Sequence, residues 1–398
     1  MKVLMFGWEF PPLSTGGLGT ACYGLTKSLS RKGIEITFVL PYSFDFENAD
    51  FVKLVSAGKV KIRKISSALK PYLSSEEYTK SIKQNKSPKI YGSTLFDEVY
   101  RYTIAAERIA EEEDFDVIHC HDWMTFGAGI RAKRKKNKPL VLHVHSTELD
   151  RTGGHQVNQY VYDLERQGLH KADKIIAVSN FTKNEIMTHY NIPAEKIRVV
   201  HNAVDFTQYG YDEEFNLKKT DKIVLFLGRL TLQKGPDYFI YSAKKVLEHE
   251  KNVKFIVAGT GNMEASLIEK AIELGIADKV LFAGFLAQDD VERAYKMADV
   301  YVMPSVSDPF GITALEAMKN KTPIIVSKQS GVSEVVKHCL KVDFWDVNEI
   351  SSKIIALLRY KSLHESLKES SYDEVKKFNW DVPAEKCIQV YNELTSKG

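Results

Sequence analysis

Cysteine is scarce and scattered in this 398-residue chain: Cys22, Cys120, Cys339 and Cys387 lie far apart and form no Cys-x-x-Cys pair. Neither a zinc ribbon nor a disulfide framework is suggested, and the four are read as reduced thiols in packed positions. Nowhere do about eighteen apolar residues run together, the length needed to span a bilayer. Residues 1–6, Met-Lys-Val-Leu-Met-Phe, form a strand in place of a basic start, long apolar core and cleavage site. The expectation is a cytoplasmic protein with no transmembrane segment. The Asn-x-Ser/Thr matches at Asn85, Asn180 and Asn320 are then chance. Charge of one sign is also lacking: 55 Lys and Arg against 52 Asp and Glu give a formal +3, so nucleic acid is not the expected partner.

Several motifs are missing too. No Gly-x-x-x-x-Gly-Lys-Ser/Thr run is present, which counts against a P-loop ATPase. Gly259-Thr-Gly261 lacks the third glycine of a dinucleotide fingerprint, because Glu264 stands there. Metal-dependent sugar transfer would place Asp-x-Asp after a strand, yet Asp114-Phe-Asp116 precedes its strand. The chemistry expected is therefore metal-independent, with no metal site and no cofactor.

What is present is a two-domain α/β pattern, since one hydrophobic core rarely extends over a chain this long. Short β-rich runs at 2–6 and 35–40 flank a helical period through Leu18, Cys22, Leu25 and Leu29, a first βαβ unit. The intervening Gly7–Gly19 loop exceeds the usual two to six residues, and Gly16 and Gly17 permit close backbone approach to an anion at a helix start. Residues 41–93 are polar, Lys-rich and without a clear period. Further strands are expected at 115–120, 139–145, 174–179 and 196–204, and a pattern-free piece at 205–221 acts as linker. A second set begins at 222–228 and continues at 253–258, 280–283 and 300–303; beyond about residue 345 the pattern is helical. The expected division is 1–205, 206–380 and a final helix at 381–398.

Side chains with chemistry follow strand ends, where α/β sheets bind ligands. His119 and His121 flank Cys120 and point to one face; a metal would need a third ligand, and a packed or hydrogen-bonded pair is the alternative. His145, Glu148, Asp150 and Arg151 gather polar groups beyond the needs of a structural turn and are acceptor-side candidates. Arg229 and Lys234, with Gly235 freeing the backbone, suit a diphosphate whose charge grows as its bond to a sugar breaks. Gly259 and Gly261 leave room for a nucleoside. Asp308 precedes a helix that starts near Gly311 and Ile312 and carries Glu316. Two carboxylates can then face one crevice, one toward ribose hydroxyls and one toward a sugar.

Assembled in order, these stretches resemble the retaining glycosyltransferases of the GT-B fold, the group that includes glycogen synthases, sucrose synthases and phosphatidylinositol mannosyltransferases. The matching segments are Trp8-Glu-Phe-Pro-Pro with Gly16-Gly-Leu-Gly19, His119-Cys-His-Asp-Trp123, Val178-Ser-Asn180, His201-Asn-Ala-Val-Asp205, Gly228-Arg-Leu-Thr-Leu-Gln-Lys-Gly235, Val257-Ala-Gly-Thr-Gly261 and Pro304–Thr322. The resemblance implies two Rossmann-like doubly wound parallel-sheet domains facing across a cleft, with the last helix crossing back to the first. It implies that Gly16 and Gly17 meet the donor sugar and diphosphate, Arg229 and Lys234 hold the diphosphate, Glu316 binds ribose and His121 sits near the sugar. Backbone at Phe285 and Leu286 would meet the base. Asp308 aligns with the first glutamate of a Glu-x7-Glu motif, and here the sequence departs, reading Asp-x7-Glu. Transfer in the family is thought to retain configuration by a front-face route in which the leaving phosphate helps deprotonate the acceptor.

The resulting expectation is a retaining hexosyltransferase, glucose preferred and glycogen-synthase-like, using a UDP-, ADP- or GDP-sugar and a carbohydrate acceptor. Basic stretches at 53–90 and 131–138 leave open a glycolipid acceptor and peripheral membrane contact. The shortened acid at 308 leaves open a sugar-nucleotide-binding protein with little transfer.

Overall fold

The computed structural model describes residues 1–11, 16–42, 60–66, 94–206 and 221–396. Most of the Lys-rich 41–93 stretch and the 205–221 linker fall outside these residues. Thirteen strands are described: β1 (Lys2–Phe6), β2 (Glu35–Tyr42), β3 (Val60–Ser66), β4 (Val117–His121), β5 (Leu140–Val144), β6 (Lys174–Ala177), β7 (Ile197–Val199), β8 (Lys222–Leu227), β9 (Val253–Ala258), β10 (Val280–Gly284), β11 (Val300–Met303), β12 (Ile324–Ser327) and β13 (Leu340–Val342). They form two all-parallel sheets, ordered β3-β2-β1-β4-β5-β6-β7 and β10-β9-β8-β11-β12-β13. Parallel sheets need cover on both faces, and β4, β5, β11 and β12 are buried along their whole length. This is the GT-B architecture. The three-residue β13 and the four-residue helix Val332–Val335 were too short to leave a period in the sequence.

Topology sets the site. Strand order reverses between β1 and β4 in the first sheet and between β8 and β11 in the second. At such a switch point the flanking loops leave in opposite directions and open a crevice beyond the strands' carboxyl ends. The described residues so placed are Gly7–Pro11 with Gly16, the turn after His121, Gly228–Gly235 and Pro304–Gly311.

Local chemistry fixes the helices around them. Thr94 and Asp97 form a capping box at the start of Leu95–Glu112, Asn158 caps Gln159–Lys171, and Ser179 caps Asn180–Tyr190. Gly235 adopts a left-handed conformation (φ 62°) and hands the chain to Pro236 at the first helical position. The basic end of Trp123–Lys136 is neutralised by neighbours: Arg131 meets Glu107 at 2.7 Å, Lys133 meets Asp173 at 2.7 Å, and Lys135 pairs with Glu111. No helix among the described residues is long and apolar enough to cross a membrane. Cys22, Cys120 and Cys387 are buried free thiols, and Cys339 is half-buried.

The last helix, Asp381–Thr395, lies on the first sheet's helix Gly17–Arg31. Asp381 accepts from Ser28 Oγ at 2.5 Å and Arg31 at 2.9 Å, and Lys32 meets Glu385 at 2.6 Å. Gly24 is required here, because any Cβ would run into the Trp380 indole. Cys387, Val390 and Tyr391 then enter a hydrophobic cluster continuous with Val3, Met5 and Leu25 and also with Phe310 and Ala314 of the second sheet's layer.

Candidate active site

Each face of the cleft is built from one switch point. On the second-sheet side, Arg229 and Lys234 stand on the loop after β8, and Asp308 on the loop after β11. Lys234 Nζ donates to Asp308 Oδ2 at 2.7 Å, and Ser305 Oγ approaches the same oxygen at 3.3 Å. Asp308 is 3% exposed, so this pairing is its compensation for leaving water. Arg229 is exposed and rests one guanidinium nitrogen on Gln233 Oε1 at 3.1 Å. Gln233 is buried, and its backbone carbonyl accepts from the amides of Val306 at 3.0 Å and Ser307 at 3.4 Å, tying the two loops together. Gln233 lay in the sequence between the two cations; only the fold discloses its bracing role.

Glu316 sits on the helix Ile312–Lys319 that follows, and its Oε2 accepts from Tyr295 Oη at 3.2 Å. Burial raises the Glu316 carboxyl above the usual range, with the Tyr295 hydroxyl and Lys319 partly opposing it. Gly311 (φ 97°) caps the helix, and a Cβ there would press on Met303 and Val332. Asp308 therefore lies outside the helix and is not its cap. The amides of Gly311 and Ile312 mark the helix's positive end. Gly259 and Gly261 are demanded by the protein itself: a Cβ at either would strike the carbonyl of Gly228 or of Leu230. Beyond Gly284 (φ 66°) the Phe285 ring is 69% exposed, and Leu286 is half-buried beside it.

On the first-sheet side, Gly16 precedes the helix Gly17–Arg31, and no atom lies within 4 Å of where a Cβ on Gly17 would stand. His119 and His121 share one face of β4 and stack at 4.5 Å. His143 and His145, at the end of β5, complete a row of four rings. His121 Nδ1 contacts His145 Nε2 at 3.0 Å, and His119 Nε2 contacts His143 Nδ1 at 3.3 Å. Burial depresses all four below the ordinary imidazole range, His119 and His145 to about 3, so they are neutral at pH 7. His119, His121 and His143 offer ligand atoms within 4.8 Å of one another, as do Cys22, His121 and His145. The rings lie 19–31° from parallel, and the N···N contacts of 3.0 and 3.3 Å join rings of β4 to rings at the end of β5. The hydrogen-bonded arrangement is the one the geometry favours.

The turn after His121 is strained: Asp122 has φ 60°, ψ 169°, an uncommon conformation for a residue with a side chain. Its Oδ1 accepts from the amides of His145 at 2.6 Å and Ser146 at 3.3 Å, which binds the two first-sheet loops. Burial pushes its carboxyl up to about 7 against the opposing Arg151 and these two amides.

The dense polar cluster at 145–151 is held by a capping box and a buried ion-pair network. Thr147 and Asp150 form the capping box of a short helix, Glu148–Thr152. Arg151 reaches Glu165 at 2.5 Å, Glu148 at 3.2 Å and the Ser146 carbonyl at 3.0 Å. Glu148 also takes the Asn158 amide at 3.1 Å, and Tyr190 closes the network on Glu165. Asp150 has one further partner, Ser307 Oγ of the other domain, at 2.6 Å. His145 is separate from this cluster, standing in the histidine row.

That last contact is one of several across the cleft. Ser179 Oγ donates to the Pro309 carbonyl at 2.6 Å, so the loop bearing Asp308 is held on both flanks by the first domain. Glu334 accepts from the amides of Asn180 (2.9 Å) and Phe181 (2.5 Å) and from Asn180 Nδ2 at 3.1 Å, and His201 stands at 3.3 Å. A carboxylate from one domain thus occupies a helix N-terminus of the other.

Comparison with known proteins bears on this arrangement. Residues 15–208 match the family model for Glycosyltransferase Family 4, and residues 210–374 that for Glycosyl transferases group 1. The chain is 31% identical to an uncharacterized glycosyltransferase of Methanocaldococcus jannaschii over 98% of each chain. It is 25% identical to the glycogen synthase of Mycobacterium tuberculosis, covering 84% of this chain and 80% of that one. Among solved structures, HepE of Anabaena in complex with UDP and glucose superposes with a TM-score of 0.75 at 17% identity, covering 99% of this chain and 100% of that one.

Proposed function

The chain belongs to the group 1 glycosyl transferases, and from that premise we propose retaining, metal-independent transfer of a hexose, glucose first, from a nucleoside-diphosphate sugar to a carbohydrate acceptor of the α-glucan type. One observation carries the reading: Lys234 pairs with Asp308 at 2.7 Å where the loops after β8 and β11 leave the switch point of the second sheet, with Arg229 on the same loop as Lys234, while His121 ends β4 at the switch point of the first.

A nucleoside diphosphate fits the second-sheet side in sequence. The base lies along Phe285 and Leu286, past the Gly259 and Gly261 turn, and the ribose hydroxyls donate to Glu316, which Tyr295 holds in place. The diphosphate meets Arg229, Lys234 and the amides of Gly311 and Ile312, with Gly16 and Gly17 approaching from the other domain. As the glycosidic bond breaks, negative charge grows on the leaving phosphate, and the two fixed cations stabilise that charge more than the ground state. Asp308 aligns Lys234 and faces the sugar, whose far side meets His121. In a front-face step the acceptor oxygen bonds to the anomeric carbon on the side the phosphate leaves, and its proton passes to a phosphate oxygen. No protein nucleophile is needed, and both domains exclude water from a hydrolysable donor.

HepE was solved with UDP and glucose, which makes UDP-glucose the first donor to try. A soluble acceptor is favoured over a glycolipid because Glu107, Glu111 and Asp173 pair off cations of the basic helix end. The test is a panel of UDP-, ADP- and GDP-hexoses, each with glycogen, maltose and monosaccharides, in the presence of EDTA. Transfer from one donor to a glucan is expected. Transfer to lipid acceptors alone, or donor binding without turnover on any acceptor, would refute the proposal.

A further inference from the structure

The histidine row reaches from the end of the first sheet's strands to the last helix. Its inner end is fixed by a residue from the far end of the chain: Tyr391 Oη lies 2.6 Å from His119 Nδ1, both fully buried. Tyr391 is carried by the helix Asp381–Thr395, and that nitrogen is its hydroxyl's only hydrogen-bond partner among the described residues. Two ring nitrogens of the row, Nε2 of His121 and Nε2 of His143, are buried and have no hydrogen-bond partner among the described residues.

The hydrogen positions follow by elimination. A buried phenol must place its hydrogen somewhere, and here the sole acceptor is His119 Nδ1. If His119 donated instead, the phenolic hydrogen would be left bare in the core. His119, neutral in this surrounding, then carries its own hydrogen on Nε2 and donates it to His143 Nδ1 at 3.3 Å. His143 in turn must carry its hydrogen on Nε2, the partnerless atom. His143 is the register partner of His121 on the neighbouring strand, with ring centroids 5.3 Å apart.

We propose that Tyr391 is a positioning residue that orders this row, so that His143 presents an Nε2–H beside His121 as a hydrogen-bond donor to the transferred sugar. The ordering of the row stands on geometry alone; the sugar as its recipient rests on the function proposed above. It also gives the crossing helix a chemical role, since losing the contact would release the tautomer of a ring on the first sheet.

The test has two arms. Two-bond nitrogen–proton correlation spectra of the imidazoles, assigned by single His→Gln replacements, report tautomers directly and need no substrate. His119 and His143 are expected as Nε2–H forms in the parent, and as mixtures of both forms in Tyr391→Phe. His119 found as Nδ1–H, spectra unchanged by Tyr391→Phe, or stoichiometric zinc with loss of these signals would overturn the ordering. In the second arm, with whichever donor the parent turns over, Tyr391→Phe and His143→Leu are each expected to lower kcat roughly tenfold, the scale of one hydrogen bond, with KM little changed. His143→Gln, which keeps an N–H, should retain more rate than His143→Leu. Equal kcat in His143→Leu and the parent would overturn the donor role while leaving the tautomer result standing.

Discussion

Lys234 has three ammonium hydrogens, and one of them is held by Asp308 at 2.7 Å, leaving two for a diphosphate. Arg229 is exposed and is asked to do less for folding. Arg229→Ala should therefore lower kcat about a hundredfold while shifting stability by no more than about 0.5 kcal/mol. Lys234→Ala should cost comparable rate but also stability, on the order of 1–3 kcal/mol, because it strands a buried acid; Asp308→Asn in the same chain should recover part of that loss. Rate assays beside denaturant melts of the four proteins check this. An Arg229→Ala enzyme with parental kcat would contradict the clamp.

Asp308 is one methylene shorter than the family's glutamate, and the shorter acid already satisfies Lys234 and Ser305. Asp308→Glu adds about 1.5 Å of reach into a closed site, so kcat is expected to fall roughly tenfold, and Asp308→Ala to fall further. Faster turnover in Asp308→Glu would mean that the parent is impaired at this position. Asp122 yields a pH prediction. Its folded pKa of about 7 exceeds the 3.8 of the free side chain, so the folded state holds the extra proton between those values. Stability contributed by this group therefore falls as pH rises from about 4 to 7, then levels off. Thermal melts of Asp122→Asn should gain on the parent across that window by an order of a few degrees and run parallel above it; a constant offset at all pH would contradict the assignment.

At the scale of elements, the loop carrying Asp308 is hydrogen-bonded to the other domain on both sides, at Ser307 and at Pro309. The clasp of Glu334 on Asn180, Phe181 and His201 closes the same interface at its edge. Glu334→Ala removes an acceptor from two amides, and is expected to raise the donor KM several-fold and the radius of gyration in small-angle scattering, with each domain still folded. Unchanged scattering and KM would show that the clasp does not govern closure. Much of this level was legible beforehand. Apolar runs marked β1, β8, β9 and β11, and strand alternation put His119 and His121 on one face. The polar run at 145–151 was legible as polar, but its capping box and its ion pair with Glu165 were not, because a local pattern does not say which partners a side chain will find. The Glu334 clasp and the Tyr391 contact, 272 residues from His119, left no local trace, since long-range pairing has no period.

For the whole molecule, two sheets and two switch points bring loops from four strand ends into one cleft, and the last helix ties the second half to the first. The two parallel sheets were readable from the alternation of strands and helices, whereas residues 41–93 gave no pattern to read. The cleft as described is polar, cation-bearing and braced by groups that compensate one another, which suits a leaving diphosphate better than an attack by the protein. The most direct measurement is proton NMR of the product formed from an α-linked nucleoside-diphosphate glucose and a maltooligosaccharide, in EDTA. An α-glucosidic anomeric signal appearing with release of the nucleoside diphosphate is predicted; a β-linked product, or transfer that requires added metal, would contradict the account.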